Sequence, residues 1–259
     1  SVHWHGIALR NDMDGASPAT PDIAAGRDFT YRFSVPYPGT YWAHPHTGLD
    51  ADTGLYFPPV IVDDPNDPGS YDAEWVVMLD DWTDGVGSSP AQIYDGLRNS
   101  MGGHDMPGMG DMPGMPGRGT VPGGVGGGAG RSSLLGGDAG DVSYPPYYLI
   151  NGRIPKAASS FFRVKPGQRV RIRLINAGSD TAFRVALAGH KLTVTHTDGF
   201  PVVPTEVDAV LIGMGGERYD VVVTARDGVF PLVAAAEGKN ASARALLVSG
   251  GGFATARRL

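Results

Sequence analysis

Arg169-Val170-Arg171-Ile172-Arg173-Leu174 alternates cationic and apolar side chains over six residues. Side chains two apart on a β-strand share a face, so this stretch has one apolar and one cationic side. The apolar side predicts a half-buried strand, and the arginines predict a solvated face. The same period of two recurs at Phe183, Val185 and Leu187, and at Leu192, Val194 and His196. It also occurs early, at Phe29, Tyr31, Phe33 and Val35, where Tyr37-Pro38-Gly39 supplies the turn. Apolar runs at 60–62, 75–79, 147–150, 219–223 and 246–248 read as further strands. No long helical period appears, and only a short helix around 91–98 is expected. Short strands bounded by turn signals make this an all-β chain of sandwich type.

Composition agrees with that reading and removes several functions. Gly (39) and Pro (21) are abundant enough to supply the turns. Net charge is -6 and no basic run exceeds Arg257-Arg258, so nucleic acid is not an expected partner. No apolar run approaches ~20 residues, so no membrane span is expected. The chain has no cysteine, which excludes disulfides, thiolate zinc and a cysteine nucleophile. It also excludes a blue-copper site, which needs a Cys thiolate beside two His.

The expected organisation is a first unit over 1–64, a polar, proline-stiffened linker over 65–74 and a second unit over 75–250. Residues 251–259 would be the stub of a further linker. An insertion over 100–141 interrupts the second unit. Gly fills 16 of positions 101–140 and Pro another four, so ordering this segment would not be offset by burial, and flexibility is expected. The sequence opens directly on its first motif, and both ends read as cut from a longer chain.

The histidines carry the chemistry. His3 and His5 form one pair, and His44 and His46 another, each at spacing i, i+2 on an expected strand. Such side chains share a face about 6.5–7 Å apart along the strand. That spacing suits two neighbouring ions better than one. Imidazole accepts Cu, Zn, Fe or Ni, so ligand type alone does not name the metal. One His-x-His pair is often surface decoration, whereas two pairs flanked by Trp and Gly are not easily dismissed. Trp4 and Trp42 are expected to wall the site, and Gly6 and Gly48 to let backbone pass close to it. His196, sharing a face with Leu192 and Val194, reads as a satisfied core histidine. His190, after Gly189, reads as a turn residue.

Five methionines sit within fifteen residues: Met101, Met106, Met109, Met112 and Met115, with His104 among them. Thioether sulfur is a soft ligand that favours Cu(I). The surrounding Gly, Pro and Asp cannot form a core, so core filling does not explain the cluster. A featureless linker is the competing reading.

His3-Trp4-His5-Gly6 and Gly39-Thr40-Tyr41-Trp42-Ala43-His44-Pro45-His46-Thr47-Gly48 resemble the first two copper motifs of multicopper oxidases, the laccase and bacterial copper-resistance type. The family usually has Tyr and Ser where this chain has Ala43 and Pro45. The resemblance continues through Gly54-Leu55-Tyr56, Leu79-Asp80-Asp81-Trp82 and Tyr148-Leu149-Ile150-Asn151-Gly152, and covers nearly everything outside the glycine-rich insertion. It implies cupredoxin-like Greek-key β-sandwich domains. It implies that His3 is a ligand of a type 2 copper, and that His5, His44 and His46 are ligands of paired type 3 coppers. It places Asp14 as the acidic residue passing protons to oxygen, against the alternative of an ordinary Asp-Gly turn. The family cluster takes eight histidines, of which four are here. The others, and the type 1 copper with its Cys, belong to a third domain not matched in this chain.

The implied activity is one-electron oxidation of phenols, aromatic amines or Cu(I), coupled to reduction of O₂ to water in a secreted or periplasmic setting. The methionines resemble Cu(I)-gathering insertions of copper-resistance oxidases. The rival reading is an extracytoplasmic protein that binds and sequesters copper without turnover.

Overall fold

The computed structural model describes residues 1–67, 70–101, 130–142, 147–154 and 160–252. Strands β1 (Val2–His5), β2 (Gly39–Pro45) and β3 (Phe57–Val62) form an antiparallel three-stranded sheet with β2 in the centre. Next come β4 (Ala73–Asp81), helix α1 (Pro90–Met101), and the short strands β5 (Arg131–Ser132), β6 (Gly137–Asp138) and β7 (Tyr148–Ile150). After them run β8 (Ser160–Val164), β9 (Arg169–Asn176), β10 (Phe183–Leu187), β11 (Leu192–Thr197) and β12 (Phe200–Val207). The chain continues through β13 (Val210–Ile212), β14 (Arg218–Thr224), β15 (Gly228–Ala236) and β16 (Ala241–Ser249).

Two sheets enclose the main core. One has the order β12-β11-β14-β9-β4-β7, the other β13-β10-β15-β16-β8. Val170, Ile172 and Leu174 of β9 meet Phe183, Val185 and Leu187 of β10 inside one apolar cluster, as their alternation required. Helix α1 adds Ile93 and Leu97, four residues apart and therefore on one face. Its start is a capping box. The Gln92 amide donates to Ser89 Oγ at 3.3 Å and the Ser89 amide to Gln92 Oε1 at 2.9 Å, with Pro90 as first helical residue.

Several expectations fail for physical reasons. Residues 29–35 alternate between partly buried and exposed as a strand would, but among the described residues no strand pairs with them. The expected flexible insertion ends earlier than 141. Residues 130–142 pack on the sandwich, with Ala139 and Val142 buried and Ser132 Oγ donating to Glu237 Oε1 at 2.7 Å. His104, Met106, Met109, Met112 and Met115 lie outside the described residues, and of Met101 only its place at the end of α1 is described.

The largest correction concerns the arginine face. Arg171 is 5% exposed and Arg173 1%, so that face of β9 is covered rather than solvated. Thr40 of the three-stranded sheet and Asp67, Tyr71 and Glu74 lie on it. Asp220 of β14, opposite Arg173 in register, accepts from Arg171 Nη2 at 2.6 Å, Arg173 Nη1 at 3.1 Å and Thr40 Oγ1 at 2.8 Å. Arg171 also reaches Asp67, and Arg173 Nε donates to Glu74 Oε2 at 2.8 Å. Burying a guanidinium is tolerated only when charge and hydrogen bonds are both compensated, and here they are.

His196 is also displaced from its expected place. A register shift between Val194 and His196 inserts one extra residue in β11 and puts His196 opposite Asp220. One added residue turns the succeeding side chains to the other face. His196 is buried, as expected, but beside the arginines rather than with Leu192 and Val194. Its Nδ1 lies 3.3 Å from Arg171 Nη2 and 3.0 Å from Thr195 Oγ1.

Candidate metal centre

Pairing of β1 with β2 builds the site. His3 lies directly opposite His44, and His5 opposite Trp42. His46 comes directly after the last residue of β2. Ring centroids are 5.3 Å apart for His3 and His44, 4.7 Å for His3 and His46, 5.4 Å for His5 and His44, and 5.1 Å for His44 and His46. His3, His5 and His44 each offer a ring nitrogen, and the three nitrogens lie within 4.8 Å of one another. The rings lean together more than strand spacing alone suggests, so His3 and His5 can also serve one ion. A fourth ring extends the cluster beyond what a single ion requires.

Hydrogen bonds select the tautomers. His3 Nδ1 lies 2.8 Å from the Asp14 carbonyl oxygen, which can only accept, so Nδ1 carries the proton and Nε2 keeps its lone pair. His44 Nδ1 lies 3.1 Å from the Pro45 carbonyl, which leaves His44 Nε2 as an acceptor. That atom is 3.2 Å from His5 Nδ1. A carbonyl or carboxylate holding the far ring nitrogen is the usual outer support of metal-bound imidazole. Asp14 supplies both kinds, because its Oδ1 also lies 3.2 Å from His3 Nδ1.

Burial keeps His5 and His44 neutral. Burial lowers His5 to about 3, helped by the Arg218 guanidinium and the neighbouring histidines. Burial lowers His44 to about 4 against the opposing Pro45 carbonyl bond. His46 is lowered as well, by burial and His3. Metal ligands must be deprotonated, and His5 and His44 meet that need throughout the neutral range. A nitrogen-only donor set of four imidazoles fits copper.

The walls differ from expectation. Trp42 is buried and stacks on His44 at 4.4 Å and 27°. Trp4 instead meets Tyr31 and Phe33, at 5.5 and 5.1 Å, on the other side of β1. Consecutive strand residues face opposite ways, so Trp4 cannot share the histidine face. Gly48 has open space around it and a positive φ of 54°, so it serves a turn rather than a close approach. The close approach comes from Gly216, which the sequence reading missed. Its φ is +106°, and a Cβ there would sit 2.4 Å from His5 Cε1. Arg218, also missed, stands behind Gly6 and donates to the carbonyls of Thr40, Gly216 and Asp198 at 3.1, 2.8 and 3.0 Å. Tyr56 lies beyond Trp42 and donates to Asp80 Oδ2 at 3.0 Å, a carboxyl pushed up to about 8 by burial and by Asp81. No short motif marks Gly216 or Arg218, which come from a segment remote from β1, whereas Tyr56 and Asp80 lie in stretches that carry the family resemblance.

Comparison with known proteins identifies the family. A family model described as multicopper oxidase matches residues 73–252, and a second of the same description matches residues 1–67. The multicopper oxidase MmcO of Mycobacterium tuberculosis is 66% identical over 97% of this chain and 47% of its own length. The copper resistance protein A homolog of Pseudomonas syringae pv. tomato is 36% identical over 96% of this chain and 42% of its own. The chain thus spans about half the length of these curated relatives. The laccase of Botrytis aclada superposes with a TM-score of 0.68 at 26% identity, over 96% of this chain and 42% of that one. The blue copper oxidase of Nitrosomonas europaea does so with a TM-score of 0.65 at 25% identity, over 96% and 68%. The two-sheet sandwich is therefore cupredoxin-like, and the chain belongs to the multicopper oxidase family.

Proposed function

We infer that this chain supplies four of the histidine ligands of a copper cluster at which O₂ is reduced to water. Electrons would come from phenols, aromatic amines or Cu(I). The observation that carries the reading is the convergence of four imidazoles from two paired strands, with His3 Nδ1 and His44 Nδ1 tied to carbonyls. Copper, when bound, supplies the one-electron steps that link a reducing substrate to oxygen.

The residues of this chain do the rest of the local work. His3 serves a type 2 ion, and His5, His44 and His46 serve a type 3 pair. Trp42 covers the His44 ring and excludes water from that side. Asp14 handles protons. Its side chain is 35% exposed and touches His3 Nδ1, so it connects solvent with the cluster edge. Reduction of O₂ to two waters consumes four protons, and a carboxylate placed this way serves as their relay. Residues 1–64 act as part of one cupredoxin domain and 75–250 as a second, joined across 65–74. The remaining ligands and a type 1 copper lie elsewhere in the intact protein. A secreted or periplasmic setting suits this chemistry, and among the described residues no helix is long and apolar enough to cross a membrane.

The test is O₂ uptake by the intact, copper-loaded protein with a phenol and with Cu(I). Four donors oxidised per O₂, without peroxide release, supports the reading. Tight copper binding with no O₂ uptake from either donor overturns it in favour of sequestration.

A further inference from the structure

A second cavity lies on the six-stranded sheet, between β11, β12 and β14, and has a volume of about 470 Å³. That is within the ~300–1,000 Å³ usual for small-molecule sites. One wall is apolar, formed by Val222, Pro201 and Val202. The polar groups that line it divide into those already engaged and those left available.

The engaged groups cancel. Lys191 pairs with Asp208 at 2.5 Å. His190 uses both ring nitrogens, Nδ1 toward the Ala188 carbonyl at 2.9 Å and Nε2 toward the Arg226 amide at 3.1 Å. Asp67 is held by Arg171.

Among the described residues, Arg169, Arg226 and His196 line the cavity with N–H donors not spent on a carboxylate. The guanidiniums of Arg169 and Arg226 have no carboxylate within ion-pair distance among the described residues. Each is anchored by one neutral contact, Arg169 Nη1 to Ser70 Oγ at 2.9 Å and Arg226 Nη1 to the Gly189 carbonyl at 3.0 Å. Anchoring fixes their position and leaves their other donors free. The third donor is His196, 6% exposed. Its Nδ1 lies 3.3 Å from Arg171 Nη2, which can only donate, and 3.0 Å from the Thr195 hydroxyl, which can donate to it as well, so the proton is assigned to Nε2. Nε2 has no hydrogen-bond partner among the described residues, and the ring lines the cavity. Glu206 is the lining carboxylate left without a cation, and the two guanidiniums outnumber it.

We propose that this cavity binds a small organic anion, a carboxylate on an apolar or aromatic body. The carboxylate is held by Arg169, Arg226 and His196 Nε2, and the body lies against Val222, Pro201 and Val202. Guanidinium matches carboxylate geometry with paired N–H donors, and a fixed imidazole N–H adds a third. The apolar wall distinguishes such a ligand from an inorganic anion. This site is independent of the histidine cluster and of any reading of its function.

The experiment is calorimetric titration of the intact protein with benzoate, benzamide and inorganic phosphate. It is repeated on the Arg169→Gln/Arg226→Gln double variant, whose exposed side chains can change without unfolding the sheet, as an unchanged melting temperature would verify. Benzoate should bind once per chain. Benzamide should bind at least about tenfold more weakly, and the double variant should lose about tenfold or more in benzoate affinity, as removal of charge-assisted hydrogen bonds implies. No saturable benzoate binding would overturn the proposal, as would binding that the double variant leaves unchanged. Phosphate binding as tightly as benzoate would also overturn it, because the apolar wall would then contribute nothing.

Discussion

Two polar assemblies meet at β2 and treat charge in opposite ways. Toward its start, Thr40 joins Arg171, Arg173, Asp67, Glu74 and Asp220 in a network where cations face carboxylates and the Thr40 hydroxyl both donates and accepts. Toward its end, His44 and the adjoining His46 join His3 and His5 in a cluster of four imidazoles, where burial holds His5 and His44 neutral and His44 Nε2 faces only His5 Nδ1 among the described residues. The first assembly is closed and holds the three-stranded sheet against the sandwich. The second is open and ready for an ion. Saturation of hydrogen-bonding capacity separates a structural polar cluster from a functional one, even a few residues apart on one strand.

The largest expected effect breaks the closed assembly. Asp220→Ala leaves two buried guanidiniums short of their shared partner, and should destabilise the protein by about 3–5 kcal/mol in urea denaturation. A loss under about 1 kcal/mol would mean that the network carries little. In the open assembly, Asp14→Asn keeps the backbone carbonyl that fixes His3 but removes the titratable group. Any turnover of the intact protein should fall about 100-fold with copper content unchanged. Loss of copper instead would make Asp14 a positioning residue for His3.

Gly216→Ala tests how the two parts of the molecule share the His5 pocket. The added methyl meets His5 at a backbone angle that favours glycine, so copper affinity should weaken by about 10–100-fold in equilibrium competition with a chelator. Unchanged affinity would mean that His5 tolerates displacement. The smallest effect is on pH dependence. His5 and His44 have folded values of about 3 and about 4, below the unfolded 6.5. As pH falls below 6.5 the unfolded chain takes up protons that the folded chain refuses, so their contribution to stability is lost between 6.5 and about 3. Copper-free protein should therefore lose more stability across that window than a His5→Gln/His44→Gln variant. Parallel curves would contradict the burial of these rings.

The open assembly was the more legible in sequence. His3, His5, His44 and His46 announce themselves by spacing, and their convergence needed only that two strands pair. The strands β4, β9, β10 and β14 were equally readable from apolar period. The closed assembly was not. Alternation in 169–174 states that the two faces differ, but whether water or protein covers the arginines depends on Asp220 and Thr40, far away in the chain. His196 was placed on the wrong face because one extra residue in β11 leaves no mark in the apolar pattern. Strands β12 and β15 carry Pro201, Pro204 and Pro231, which argue against a strand where position in the sheet tolerates them. Gly216 and Arg218 support His5 by tertiary contact alone, a relation that no local spacing encodes.

The most direct test of the central claim is copper per chain in the intact protein, counted by elemental analysis for the native form, His44→Gln and His190→Gln. His44→Gln should lose copper relative to native, and His190→Gln, whose ring nitrogens are both engaged far from β2, should keep all of it. Equal copper in native and His44→Gln protein would contradict the assignment of the β1–β2 histidines as its ligands.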